Sequence, residues 1–356
     1  MTTTMSSTLR GQRLPRWAVP AIGVAALVVT AALLAGLGTW STAAFVVLAG
    51  VLFAVAVTGA SFALEGARQA RDRLATTAVS TAFLLAMAPL VSIAIFTVSR
   101  GINRLDGDFL TRSMFLISPS GPGGGAYHAI MGSLLITAIT AVLAVPLGIL
   151  TAVYLVEYGE GRRLARAVSF FVDVMTGVPS IVAGLFIYAF WIMALGFQQS
   201  GLAGALSLVI LMLPVVVRAT EEMLKLVPQE LREASYALGI PKWRTIAKVV
   251  LPTALGGIVT GVMLGVARAM GETAPLLLLV GTQVRINFNP FGFSDTEANP
   301  ISTLPTYIYS QLTSATGNTD SPAFDRAWAA ALVLIIIIML LNLLARFVAR
   351  FSKARG

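Results

Sequence analysis

The chain contains no cysteine and a single histidine, His128. Disulfides, thiolate nucleophiles and cysteine-based metal sites are excluded, and a lone histidine without carboxylate neighbours in sequence makes no metal site. Charge is scarce too: 12% of the 356 residues are Asp, Glu, Lys or Arg, about half the share of a soluble domain. There is no phosphate-binding Gly-Lys-Ser/Thr loop and not even a Gly-Lys dipeptide, so any nucleotide hydrolysis has to come from another chain. Apart from the glycines at 123–125 the sequence has no low-complexity tract and no short repeat, which removes solenoid architectures.

What is present is apolar: 57% hydrophobic residues and a mean hydropathy of +0.84. About 20 helical residues cross a hydrocarbon core of ~30 Å. Runs of that order, nearly uncharged, occur at 17–37, 42–64, 75–99, 127–156, 170–195, 202–217, 250–279 and 327–347, the sixth being the shortest. Their apolarity is continuous, whereas barrel strands alternate, so the expected fold class is all-α, a polytopic membrane protein of about eight spans. The first run follows Arg10, Arg13 and Arg16. It exceeds a signal-peptide core and another span follows at once, so it is read as an uncleaved anchor.

The net charge of +9 does not imply nucleic acid, because the basic residues sit beside the ends of apolar runs, where they set topology. With the N-terminus inside, the internal segments are the two tails and 65–73, 157–166 and 218–248, and they carry most of the 25 Lys and Arg residues. The external segments keep Arg100, Arg104, Arg112, Arg285 and Arg326, and Arg268 is left inside a span. An even number of spans with both termini cytoplasmic satisfies this asymmetry.

The internal segment reads RATEEMLKLVPQELREASYALGIPKWRTIAKVVLP. Gly239 suits a left-handed helix stop and Pro241 the first turn of the next helix, so two short helices joined by a tight turn are expected. Glu233, Ala234 and Ser235, then Gly239, then Leu251 and Pro252 resemble the EAA signature of bacterial ABC importer permeases. Ser235 stands where a second Ala is commoner. An amphipathic helix pair on the lipid surface is the alternative reading.

RATEEMLKLVP, LREASYALGIPKW, VVLPTALGGIVTG, ARAMGETAPLL, TGVPSIVAGLF and STLPTYIYSQ are together similar to the permease subunits of phosphate ABC importers, the PstA family. The similarity runs from about residue 74 to the C-terminus. It implies a type I importer transmembrane fold with a six-span core (74–356), to which residues 1–73 add a tail and a two-helix hairpin. It further implies a bacterial inner-membrane location and no cofactor in this chain, ATP being consumed by a separate PstB-like ATPase dimer. A PstC-like second permease and a PstS-like extracytoplasmic phosphate-binding protein complete the implied partners, besides membrane lipid and inorganic phosphate itself. Glu233, Ala234, Ser235, Gly239 and Pro241 would then form the ATPase-coupling element. Molybdate or sulfate is the alternative cargo, and a secondary transporter or a membrane receptor the alternative class.

A cation inside a span is costly and needs a reason, about 2.5–3.5 kcal/mol at mid-bilayer on insertion scales. Arg268 is such a residue, and Glu272 follows four positions on, near enough to pair on one helix side. Gly257, Gly261 and Gly265 form a small-residue stripe on that helix. Arg268 and Glu272 lie beside the stripe and are expected to face protein rather than lipid. They are read as a substrate-path pair, with a structural ion pair as the alternative. Arg218, after Pro214, is a candidate cytoplasmic exit contact or an interfacial anchor. Thr176 and Ser180 flank Gly177-Val178-Pro179, where a break near a transport path competes with a packing kink.

Overall fold

The computed structural model describes residues 14–119, 121–291, 297–315 and 317–353; Arg10, Arg13 and Arg355 of the basic tails fall outside them. Among the described residues the structure is helical, with one isolated β-bridge between Ser200 and Asn299. In chain order the helices are α1 (Ala18–Gly36), α2 (Thr42–Glu65), α3 (Ala67–Gly101), α4 (Gly107–Thr111), α5 (Tyr127–Val153), α6 (Arg163–Thr176) and α7 (Ser180–Ile187). There follow α8 (Gly201–Lys225), α9 (Gln229–Ala237), α10 (Lys242–Thr245), α11 (Leu251–Gly271), α12 (Ala274–Leu279), α13 (Leu304–Ser314) and α14 (Pro322–Lys353). Among the described residues, seven helical stretches are long and apolar enough to cross a membrane, and the count reaches eight if the bent α6–α7 pair is one span. Helices satisfy their backbone groups internally, as a lipid environment requires.

Contacts divide the chain into two compact units, one ending at Ile95 and one beginning at Phe96. In the first, α1 packs on α2, and outward residues such as Val24, Val28, Phe83 and Leu84 are exposed apolar surface, as suits lipid-facing helices. Its one buried acid is Glu65. The Leu14 amide (2.7 Å), the Ser61 hydroxyl (2.7 Å) and Arg73 Nε and Nη2 (2.7 and 2.9 Å) all donate to it. The turn between α2 and α3 is thus tied to the preceding tail.

In the second unit α8 is the central helix, packed against α5, α6, α7, α11 and α12. Its apolar stretch is the shortest in sequence, yet α8 has 25 residues and is the most buried of the candidate spans. The helix continues past the apolar run because its next turns are ion-paired: Arg218 with Glu221, and Lys225 Nζ with Glu221 Oε1 at 2.7 Å. Ile136 and Ala144 of α5, Leu208, Met212 and Val216 of α8, and Val266 and Ala269 of α11 share one core. Small residues set the spacing; a Cβ on Gly148 would stand 2.6 Å from Val216 Cγ1.

Two of the apolar runs are broken, the first at Gly177-Val178-Pro179, where a break competes with a kink, and the second at a place where no break is expected. Residues 170–195 belong to α6 and to α7 with its wide-turn extension Tyr188–Ala194, which meet at 108°. Pro179 donates no hydrogen bond and disfavours helical geometry at the residue before it, and α6 ends at Thr176 with Gly177 as its cap. Residues 250–279 divide at Glu272, whose backbone is extended (φ −72°, ψ 135°), into α11 and α12. Pro275 lies in the first turn of α12, where its missing donor costs nothing.

Candidate functional site

The turn between α9 and α10 is built around a buried charge. Arg232 and Ser235, three residues apart on α9, face inward, whereas Glu233 and Ala234 are exposed. Arg232 donates to Glu157 Oε1 from Nε (3.2 Å) and Nη2 (2.9 Å), and to the Leu224 and Val227 carbonyls at 2.9 and 2.6 Å. Both members of the ion pair are almost wholly buried. Ser235 Oγ lies 2.8 Å from Thr245 Oγ1, bridging α9 to α10, and Lys242 Nζ donates to the Glu157 carbonyl. Gly239 takes the left-handed conformation (φ +73°) and Pro241 caps α10, a backbone that other residues adopt only at a cost. The outer face carries Leu238 and Trp243, 79% and 61% exposed. Glu233, Ala234, Ser235, Gly239 and Pro241 therefore lie on one short helix-turn-helix, the first three on α9 and the last two in the turn that leads to α10. Its internal anchor joins Arg232 to Glu157, 75 positions away, and the local sequence signals it only as an arginine three residues from a small residue on one helix face.

On α11 the stripe faces α8. A Cβ on Gly261 would stand 2.3 Å from Ala219 Cβ, one on Gly257 2.0 Å from Met223 Sδ, and one on Gly265 3.2 Å from Met212 Cγ. Arg268 and Glu272 are 3.9 Å apart from Nε to Oε1. Two expectations need correction here. Glu272 has left helical geometry, so the pair is not an ordinary helix-face pair. The Arg268 side chain is 47% exposed, so this chain covers it only in part. The loose ion pair leaves guanidinium donors uncommitted.

Arg218 is engaged differently from an exit contact. It donates to the Ser169 carbonyl and hydroxyl (3.0 and 2.8 Å) and pairs with both Asp173 and Glu221. Two carboxylates around one guanidinium leave no positive excess for an anion, and the contacts tie α8 to α6. Thr176 and Ser180 do flank the 108° break. The exposed Thr176 hydroxyl donates to the Asp173 carbonyl (2.5 Å) and Ser180 opens α7.

At the opposite ends of the helices Arg326 is fully buried. It donates to Gln311 Oε1 (2.7 Å) and to the carbonyls of Pro119, Gly121 (2.7 Å) and Gly123 (3.0 Å), while Arg104 donates to the Gly124 carbonyl at 2.6 Å. The glycine-rich loop is therefore held by two arginines. Burial pushes the neighbouring Tyr307 phenol up to about 12, so it stays protonated. The sequence signal was that both arginines sit on the face the positive-inside rule leaves poor in cations.

Residues 144–355 match the family described as binding-protein-dependent transport system inner membrane component. The "Phosphate transport system permease protein PstA 1" of Mycobacterium tuberculosis (strain CDC 1551 / Oshkosh) is 50% identical over 291 residues, 81% of this chain and 91% of that protein. The "Phosphate transport system permease protein PstA" of Yersinia pestis is 38% identical over 288 residues, 81% of this chain and 92% of that protein. Among solved structures, a bacterial ABC transporter involved in the import of the acidic polysaccharide alginate aligns with a TM-score of 0.54 at 16% identity. The alignment covers 79% of this chain and 96% of that one, a likeness of fold alone. By the family match over more than half its length and by these identities, the chain belongs to the PstA family of binding-protein-dependent inner-membrane transport permeases.

Proposed function

We propose that the chain is a membrane-spanning permease subunit of an ATP-driven importer of inorganic phosphate. The observation that carries this is the 50% identity to a phosphate permease over nearly the whole of that protein. The turn at Gly239 supports it: a rigid two-helix element with exposed Leu238 and Trp243 fits a cleft in a separate ATPase. ATP is used by that partner, a cytoplasmic dimer, and this chain binds no cofactor. A second permease subunit covers the open side of α11 and completes the path, and an extracytoplasmic phosphate-binding protein delivers the cargo to the external face.

Both termini are cytoplasmic in this reading, which puts the α9–α10 turn inside. Arg268 offers a guanidinium fork to the passing anion, and Glu272 balances its charge when the path is empty. Thr176 and Ser180 border the path at the α6–α7 break, and Arg218 clamps α6 to α8 rather than contacting the anion. The test is ATP-dependent uptake by the complete complex in proteoliposomes supplied with loaded binding protein. Phosphate accumulation that sulfate and molybdate do not compete with is expected. Preferential uptake of either competitor would reassign the cargo, and uptake independent of ATP would remove the importer reading.

A further inference from the structure

Beside α11 an open groove consists of two adjoining hollows of about 670 and 660 Å³. Gly256, Gly257, Thr260 and Gly261 of α11 lie along it, α8 contributes Glu222, and α14 contributes Asn342 and Arg346. Thr260, Met263, Asn342 and Arg346 border both hollows. Along α11 the groove extends from Gly256 to Ala267, about 17 Å at 1.5 Å per residue, and Ala267 adjoins Arg268. It therefore joins the helix segment that carries Arg268 to the end of α11 that follows the α9–α10 turn.

At that end the two candidate cations differ. Arg218 is surrounded by Asp173, Glu221 and Ser169. Arg346 has no hydrogen bond or ion pair among the described residues, and Asn342 precedes it by one turn on the same side of α14. Five guanidinium donors and a side-chain amide are thus available at the groove, a donor set suited to a tetrahedral oxyanion. Glu222 borders the second hollow and has no ion pair among the described residues. Its negative charge keeps the site weak, as a conducting path requires for release.

We propose that Arg346, assisted by Asn342, is the inner contact for a phosphoryl oxyanion in this groove. Inorganic phosphate leaving the path and the headgroup of an anionic lipid share that chemistry. The phosphate arm rests on the importer reading; the binding site itself does not.

The experiment uses the whole complex in vesicles of phosphatidylcholine, with or without phosphatidylglycerol. Arg346→Gln is expected to lower the maximal phosphate uptake rate roughly tenfold, the scale of one lost charged hydrogen bond, with assembly and half-saturation unchanged. Arg346→Lys is expected to recover most of the rate. A loss in both vesicle types assigns the contact to free phosphate, and a loss only with phosphatidylglycerol assigns it to lipid.

Because the chain lacks cysteine, Asn342→Cys gives it a unique label for an anionic thiol reagent. Inorganic phosphate is expected to slow that labelling, and adding Arg346→Gln to abolish the protection; in the lipid case phosphatidylglycerol protects instead. Unchanged uptake by Arg346→Gln in both vesicle types, with no protection by either ligand, overturns the proposal. If the unmutated complex accumulates no phosphate, the importer reading fails, and the labelling alone decides the site: protection keeps it and absence of protection overturns it.

Discussion

The α9–α10 turn and the open side of α11 treat their arginines in opposite ways. In the turn, Arg232 is buried and its donors are spent on Glu157 and two backbone carbonyls. On α11, Arg268 is half exposed and has, among the described residues, one partner at 3.9 Å. The first arrangement fixes a shape; in the proposed function the second keeps donors for a passing anion. A part that transmits motion has to be stiff, whereas a part that passes an ion has to let go of it.

The contrast breaks most visibly at Arg232. Arg232→Ala leaves Glu157 buried and unpaired, at a cost of about 3–5 kcal/mol. The expected outcome is a lower melting temperature and loss of the folded subunit from the complex, read by thermal unfolding in detergent. Next is the spacing of the membrane core: Gly261→Leu has no room beside Ala219 and should cost about 1–3 kcal/mol. Thermal unfolding with co-purification of the second permease checks it. The smallest effect is expected at Gly239→Val, where a β-branched residue at φ +73° costs about 1–2 kcal/mol. There the fold should survive while coupled ATP hydrolysis falls, and unchanged ATPase association and coupling would separate the turn from the mechanism.

The sequence made the helical class and the two-helix turn legible because both depend on local signals, apolar run length in one case and Gly239 with Pro241 in the other. It misled where hydropathy continued across a backbone break. The apolar residues on either side of Glu272 read as one span, yet the extended backbone there divides them into α11 and α12. It also misled where charge ended an apolar run without ending the helix, as at Arg218, whose partners Asp173 and Ser169 come from a separate helix. The roles of Arg232 and Arg326 depend on acceptors 75 and 205 positions away, Glu157 and Gly121, which no local pattern indicates.

The central claim is that α11 presents an anion contact rather than a structural ion pair. Arg268→Gln, assembled with its partner subunits in proteoliposomes, tests it directly when uptake and thermal stability are measured on the same preparation. Phosphate uptake is expected to be abolished while assembly and melting temperature stay at the level of the unmutated complex, since the Arg268 side chain is 47% exposed and pairs only loosely. Undiminished uptake, or a loss of uptake fully explained by a loss of assembly, would contradict it.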